Sequence, residues 1–327
     1  TLPYQDLHPP HATPATLEDA LFAEGWPHAS HRLWQMELFR RAAKGRLSEL
    51  LGSGVLESDK ELWRIGVPQL ARTLEENSSD EMRTAIGHYV SGVNAAIDAM
   101  FIPPPEYLLL QSAPQHWSAS DVYAMGALMA FQSANNMENE LLRLALRSEL
   151  DHEKFAVFLP DDGLRADFPY VLPRSTKITA TLDRMAAANP LDTPLVPRFA
   201  FGSNGWVVAP KKSQSGHALF AFDSHDALGV PNLFYEVHLF FGNGEQIRGW
   251  SVAGLPGVIN GYNEKVAWGF TNIGDTQDLY LETRSEDDSL TFKDGDAWYE
   301  ARVETVEIPV SGRDTPELFS IVYTRNG

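Results

Sequence analysis

Two spacings of apolar residues divide the chain. Through residues 14–150 they recur every three to four positions, the spacing that gathers side chains on one face of a helix. Thr16-Leu17-Glu18-Asp19 has the form of a helix-opening capping box and predicts a short helix to Ala23. From about His31 to Leu51, Trp34, Leu38 and Ala42 fall at helical spacing, and Gly52 supplies a C-terminal stop. Residues 80–100 predict a further amphipathic helix, and Pro103-Pro104-Pro105 then breaks the chain. Ser118 or Ser120 is placed to cap a long helix. Its stretch 122–131 is apolar on nearly every side, which predicts burial, whereas 135–150 is strongly charged.

After residue 203 the spacing changes. Residues 204–209, 218–222 and 233–241 are apolar or alternating, and in the last of these Leu233, Tyr235, Val237 and Leu239 share one face. Residues 247–252, 266–270, 279–283, 298–308 and 318–323 continue the series. Ser215-Gly216, Asn243-Gly244 and Asp294-Gly295 separate them as turns. Between the two regions, 186–200 carries three prolines and little periodicity, which reads as a linker or exposed spacer. The organisation expected is a helical part over 1–185, a spacer over 186–202 and a strand-rich part over 203–327. Helices first and strands second predict α+β.

Composition narrows the function classes. Of 327 residues, 26 are Lys or Arg and 44 are Asp or Glu, giving a formal charge of −18. That charge argues against nucleic acid or an anionic membrane as the main partner. No cysteine is present, so thiol catalysis, disulfides and cysteine-ligated zinc are excluded. No run of about 18 apolar residues predicts membrane insertion. The first sixteen residues lack the basic and apolar regions of a signal peptide and begin with Thr, which reads as a processed or truncated product.

Several residue patterns bear on chemistry. No G-x-S-x-G occurs: in Phe201-Gly202-Ser203-Asn204-Gly205 the first glycine is adjacent to the serine, so this is not a nucleophile elbow. Asp223-Ser224-His225 holds the residue types of a catalytic triad. Strand side chains alternate faces, so the three cannot converge on one reacting atom, and composition alone reads them as a polar loop. The pairs His8 with His11 and His28 with His31 lack an HExxH context and do not predict a catalytic transition metal. Asp275-Thr276-Gln277-Asp278 is an acidic loop whose two carboxylates and a carbonyl can ligate calcium, or simply face solvent. Asn77-Ser78-Ser79 matches a glycosylation sequon, and Asp294-Gly295-Asp296 reads as a hairpin turn. Gly202-Ser203 lies where the spacer meets the first strand. A serine there can attack its own preceding carbonyl in an N→O acyl shift. Hydrolysis of the resulting ester would free an α-amine able to act as base for its own hydroxyl.

The segment Ala29-Ser30-His31-Arg32-Leu33-Trp34-Gln35-Met36-Glu37-Leu38, with Arg40-Arg41-Ala42-Ala43-Lys44-Gly45-Arg46-Leu47 after it, resembles the early helix of the penicillin acylase family of N-terminal-nucleophile hydrolases. That family includes cephalosporin and acyl-homoserine-lactone acylases. Members often carry Asp at the position of His31. Gly202-Ser203-Asn204-Gly205-Trp206 resembles the family's processing site, where a second Asn is commoner at Gly205. Asp223-Ser224-His225, Tyr235-Glu236-Val237-His238-Leu239, Gly254-Leu255-Pro256-Gly257 and Trp268-Gly269-Phe270-Thr271-Asn272 are similar to further family segments, in family order.

The resemblance implies an αββα four-layer sandwich, here with its second half incomplete. It implies an amidohydrolase that self-cleaves between Gly202 and Ser203 and acts through an acyl-enzyme on Ser203. His225 would help hold the serine amine and hydroxyl, and the backbone N–H of Asn272 would donate to the oxyanion. Asp275, the Gln277 carbonyl and Asp278 would bind a structural calcium with a carboxylate from the long helix, Glu138 by alignment from Gly126 or else Glu140. Leu128, Met129, Phe131 and Gln132 would line an acyl pocket, and core packing is the competing reading of the same four. The implied substrate is a small-molecule amide, either a β-lactam side chain or an acyl-homoserine lactone. The implied partner is the protein's own second chain in a cleaved heterodimer, and the implied location is periplasmic or secreted. In the family the chain runs well beyond a position like 327 and there carries an Asn that serves as second oxyanion donor. Two other readings stay open: a truncated non-catalytic fragment, and a calcium-stabilised binding module.

Overall fold

The computed structural model describes residues 11–134, 143–144, 146, 150–158, 202–226, 229–241, 243–272 and 282–326. Among these the α-helices all lie within 17–158, and apart from β1 (His11–Ala12) the strands all lie within 203–323. The architecture is α+β.

Helix α1 (Leu17–Ala43) is the spine of the helical part. Thr16 caps it in an extended conformation, its hydroxyl accepting the Asp19 N–H at 3.1 Å. Glu18 and Asp19 in the first turn and Arg40 and Arg41 in the last complement the helix dipole. The sequence predicts two helices here, and the structure joins them through Pro27. A buried proline is tolerated because the neighbouring turns are held by packing. Gly25 brings α1 against α5 (Asp80–Asp98), where a Cβ would lie 2.2 Å from the Tyr89 carbonyl oxygen. At Gly92 a Cβ would lie 2.1 Å from the Phe22 oxygen. The two glycines therefore set how closely the helices cross. The predicted helix to Leu51 is interrupted instead: Lys44 caps α1, Gly45 turns at φ +60°, and α2 (Ser48–Leu51) restarts before Gly52.

Helices α3 (Leu56–Ile65), α4 (Val67–Glu76), α6 (Pro105–Leu109) and α7 (Ala119–Ala134) complete this layer, with α8 (His152–Phe158) beyond it. Leu33, Met36 and Phe39 of α1, Tyr89 and Val93 of α5, and Met125 and Leu128 of α7 form its core. Leu233, Val252 and Ala253 reach the same core from the strand-rich part, so the two parts share one interior. Each fully buried large apolar side chain contributes roughly 1.5–3 kcal/mol.

The main sheet runs β1-β4-β5-β6-β7, with β4 (Phe234–Phe240) and β5 (Gln246–Val252) as its antiparallel centre and β1 added in parallel. The predicted face of Leu233, Tyr235, Val237 and Leu239 is buried, each at most 7 % exposed. β6 (Asn260–Tyr262) is unpredicted because Gly261 reads as a breaker. Gly249 pairs with Gly261, and a Cβ at Gly249 would lie 2.1 Å from the Asn260 oxygen, so glycine lets the backbones approach. β7 (Ala267–Trp268) closes this sheet. β2 (Ser203–Val208) and β3 (Leu219–Ser224) form a separate antiparallel pair. The predicted strand 298–308 is two strands. β10 (Ala297–Glu300) pairs with β9 (Thr291–Asp294), which also pairs with β8 (Thr283–Arg284). β11 (Arg302–Ile308) instead pairs with β12 (Glu317–Tyr323), and Ala301 between the two donates to the Leu290 carbonyl. The β11–β12 hairpin packs Ile308 and Ile321 on Leu56 of α3.

Candidate active site at the start of strand β2

Gly202 stands at φ +100°, a conformation that L side chains rarely adopt. It delivers the chain into β2, whose first residue is Ser203. The Ser203 hydroxyl donates to the Gly202 carbonyl oxygen at 2.6 Å, so it lies against the peptide group that joins the two residues. The same carbonyl accepts the backbone N–H of His225 at 3.3 Å.

Register sets the rest. β2 and β3 pair Ser203 with Ser224 and Asn204 with Asp223. Alternation then puts Asp223 and His225 on one side and Ser224 on the other, as strand geometry requires. His225 Nε2 lies 3.2 Å from Asp223 Oδ2 and 3.1 Å from Asn204 Nδ2. Its Nδ1 lies 3.6 Å from where a Cβ on Gly202 would stand. Ser224 turns away and accepts from Asn260 Nδ2 at 3.4 Å.

Asn260 is invisible to sequence reasoning, being one polar residue in a short apolar run. It is 4 % exposed, and its Oδ1 accepts the Phe270 N–H at 2.9 Å. It thereby ties β3 to the segment 269–272. Gly269 lies against β3 closely enough that a Cβ would meet the Phe222 ring at 2.4 Å. Asn272, two residues after Phe270, is partly buried. Of the predicted site residues, Gly202, Ser203 and His225 are brought together with Asp223 and Asn204.

A buried polar network connects the helical layer to this region. Glu24 Oε2 accepts the Gly257 N–H at 2.8 Å, and Tyr89 accepts the Gly254 N–H at 3.0 Å. His28 bonds Tyr89 through Nδ1 at 2.8 Å and Ser251 through Nε2 at 2.9 Å. Ser251 donates its proton to the Tyr235 carbonyl at 2.9 Å, so it accepts from His28 Nε2–H, and His28 Nδ1 accepts from Tyr89. Burial drives the His28 pKa down to about 3, helped by Arg32 and His31, and drives Glu24 up to about 7 against the Gly257 hydrogen bond. Both residues are at most 1 % exposed. His31, where Asp is common in the resembling family, bonds the Tyr235 hydroxyl at 2.5 Å. The second histidine pair therefore has hydrogen-bonding roles.

The four pocket candidates lie on α7. Leu128 and Gln132 are 2 % and 6 % exposed, and Met129 and Phe131 are partly buried against the same helical core. Glu138, Glu140, Asp275, Gln277 and Asp278 lie outside the described residues, as does most of the spacer. Among the described residues no group of three His, Asp or Glu could hold a metal, and no helix is long and apolar enough to cross a membrane.

Comparison with known proteins identifies the family. The penicillin amidase family model matches residues 5–327. The chain is 33 % identical to acyl-homoserine lactone acylase QuiP of Pseudomonas fluorescens Pf0-1, over 95 % of this chain and 39 % of that protein. It is also 33 % identical to the QuiP of Pseudomonas aeruginosa PAO1, over 95 % of this chain and 38 % of that one. Penicillin acylase 2 proenzyme of Pseudomonas sp. SE83 is 30 % identical, over 97 % of this chain and 42 % of its own length. The chain thus spans about two fifths of the length of these relatives. With the family model matching nearly every residue, the chain belongs to the penicillin amidase family.

Proposed function

We propose that this chain is the self-processing and nucleophile-bearing portion of an acylase that hydrolyses the amide of an acylated small molecule. The observation that carries the reading is the Ser203 hydroxyl, 2.6 Å from the Gly202 carbonyl oxygen on a glycine at φ +100°. In processing, Ser203 Oγ attacks the Gly202 carbonyl carbon. The C–N bond breaks as the nitrogen takes a proton, leaving an ester. Water then hydrolyses the ester to a Gly202 carboxylate and a free Ser203 α-amine. In turnover the amine takes the proton from Ser203 Oγ as it attacks the substrate amide, and returns it to the leaving amine. Water hydrolyses the acyl-enzyme by the same route in reverse order. The Asn272 backbone N–H serves the developing oxyanion, a kind of contact worth roughly 3–4 kcal/mol in hydrolases.

The names of the relatives support an acyl-homoserine lactone or a penicillin side-chain amide as substrate. Leu128, Met129, Phe131 and Gln132 are assigned to the acyl side. Glu138, Asp275, Gln277 and Asp278 are assigned to a structural calcium, and no chemical step passes through it. The two cleaved chains stay together as a heterodimer in a four-layer αββα sandwich, in a periplasmic or secreted protein. The shared core of Leu33, Leu233 and Val252 supports that association.

The test compares the full-length protein with its Ser203→Ala variant on a chromogenic acyl amide and an acyl-homoserine lactone. The variant is expected to lose self-cleavage and all measurable turnover while remaining folded. Turnover that survives the substitution contradicts the assignment.

A further inference from the structure

His225 Nε2 has two neighbours that make opposite demands on it. Asp223 Oδ2, at 3.2 Å, can only accept a proton, whereas Asn204 Nδ2, at 3.1 Å, can only donate one. A nitrogen that accepts from the amide turns its lone pair toward the carboxylate as well. A nitrogen that donates to the carboxylate faces an amide N–H. One of these conflicts can relax and the other cannot. An Asn amide rotated about its last bond presents oxygen in place of nitrogen with almost no change of shape. An ionised carboxylate has no such alternative face.

We infer that Asp223 holds the proton of the neutral His225 ring on Nε2 and so leaves the lone pair on Nδ1, with Asn204 turning its oxygen to the same N–H. The consequence falls at the Gly202-Ser203 junction. Nδ1 lies 3.6 Å from the position a Cβ on Gly202 would occupy, so this is the ring edge that faces the junction. Protonated there, the ring offers the junction a donor. With the proton fixed on Nε2, the edge beside Gly202 offers an acceptor, which after cleavage is available to the free Ser203 amine. Asp223 is therefore a positioning residue, acting through His225 without touching the reacting atoms.

Exposure of the pair, 65 % for Asp223 and 42 % for His225, makes it weak as a source of stability. A tenfold tautomer preference needs about 1.4 kcal/mol, and what supplies it is the difference between an N–H pointed at the carboxylate and a lone pair pointed at it. The register of β2 with β3 supplies the placement, because Asn204 opposite Asp223 and Ser203 opposite Ser224 bring both partners to one ring nitrogen.

The inference rests on the proposed role of Ser203 for its functional meaning, and its test is arranged to separate the two. The full-length protein is labelled with 15N-histidine, and long-range 1H–15N correlations are recorded at about pH 8, where an ordinary imidazole is neutral. The His225 signal is assigned by its loss in His225→Gln. The wild type is expected to show the Nε2–H tautomer. Asp223→Asn is expected to shift the population toward Nδ1–H and to lower kcat about tenfold to a hundredfold with KM little changed. Asp223→Glu is expected to restore the tautomer in part. The other nine histidines report whether each variant keeps its fold. An Nδ1–H tautomer in the wild type, or an unchanged His225 spectrum in Asp223→Asn, overturns the inference. A tautomer that follows Asp223 in a protein whose Ser203→Ala variant still turns over supports it and contradicts the acylase reading alone.

Discussion

At the scale of single residues, the backbone in front of Ser203 matters to the proposed self-cleavage as much as the Ser203 side chain. Gly202 at φ +100° leaves room: the nearest atom to an added Cβ is His225 Nδ1 at 3.6 Å, an ordinary contact. Substitution there is opposed by conformation and not by space, at a cost of roughly 1–2 kcal/mol for an L residue in the left-handed region. Gly202→Ala is therefore expected to fold and to self-cleave roughly tenfold more slowly, followed by gel densitometry of the precursor over time. Cleavage at the wild-type rate would show that the positive φ plays no part. That Gly202, Ser203 and His225 lie together was legible in the sequence, because their order and spacing match family segments. Asp223 read as part of a polar loop on composition and as part of a family-like Asp-Ser-His segment by resemblance, with no role assigned to it. Strand alternation puts it on the side of the His225 ring, and the β2–β3 register, which is not written in any short stretch of sequence, adds Asn204 to the same nitrogen. Asn260 and the Glu24–His28–Tyr89 network stayed hidden for the same reason. Each joins residues far apart in the chain, Glu24 to Gly257 and His28 to Ser251.

Among elements, the loop 253–257 after β5 shows how the helical layer reaches the site. Two helix side chains, Glu24 of α1 and Tyr89 of α5, hold its Gly257 and Gly254 N–H groups. Asn260, three residues beyond, then braces β3 and the Phe270 segment. Burial holds the Glu24 carboxyl at about 7, above its ordinary 4.5. A raised acid stabilises the fold fully below its unfolded value, and the contribution fades as pH climbs through the folded value. His28 runs the other way. Its pKa near 3 lies below the ordinary 6.5, so its contribution is complete above about 6.5 and is lost as pH falls toward 3. Glu24→Gln removes the first dependence and keeps the second. Relative to wild type, the variant should gain stability steadily between about pH 4.5 and 7, by a total of roughly 3 kcal/mol in urea unfolding. A difference that stays constant over that window would place the Glu24 carboxyl elsewhere. Strong periodicity made α5 and β4 legible to within two residues. The continuity of α1 through Pro27 was not legible, because local rules read proline as a break while tertiary packing keeps the helix whole.

Across the whole molecule, the helical and strand-rich parts are joined by a shared core and by buried hydrogen bonds as well as by the chain itself. Leu233, Val252 and Ala253 sit among the helices, and Ser48 of α2 donates to the Pro309 carbonyl at 3.0 Å after β11. Such joins allow the 202–203 bond to be cut without separating the parts. The α+β class was legible from the change of apolar spacing near residue 203, because helix and strand periods differ whatever the tertiary contacts. The grouping of strands was not, since 298–308 is one unbroken strand-like run that serves two sheets. The proposed function depends on Ser203 becoming a free N-terminus. The most direct measurement is the intact mass of the full-length protein under denaturing conditions, with sequencing of any new end. Self-processing at this bond gives two masses that sum to the precursor plus one water, the second beginning Ser203-Asn204-Gly205, and a single uncut mass once Ser203 is replaced by Ala. A wild-type protein that stays whole, or is cut at another bond, would contradict it.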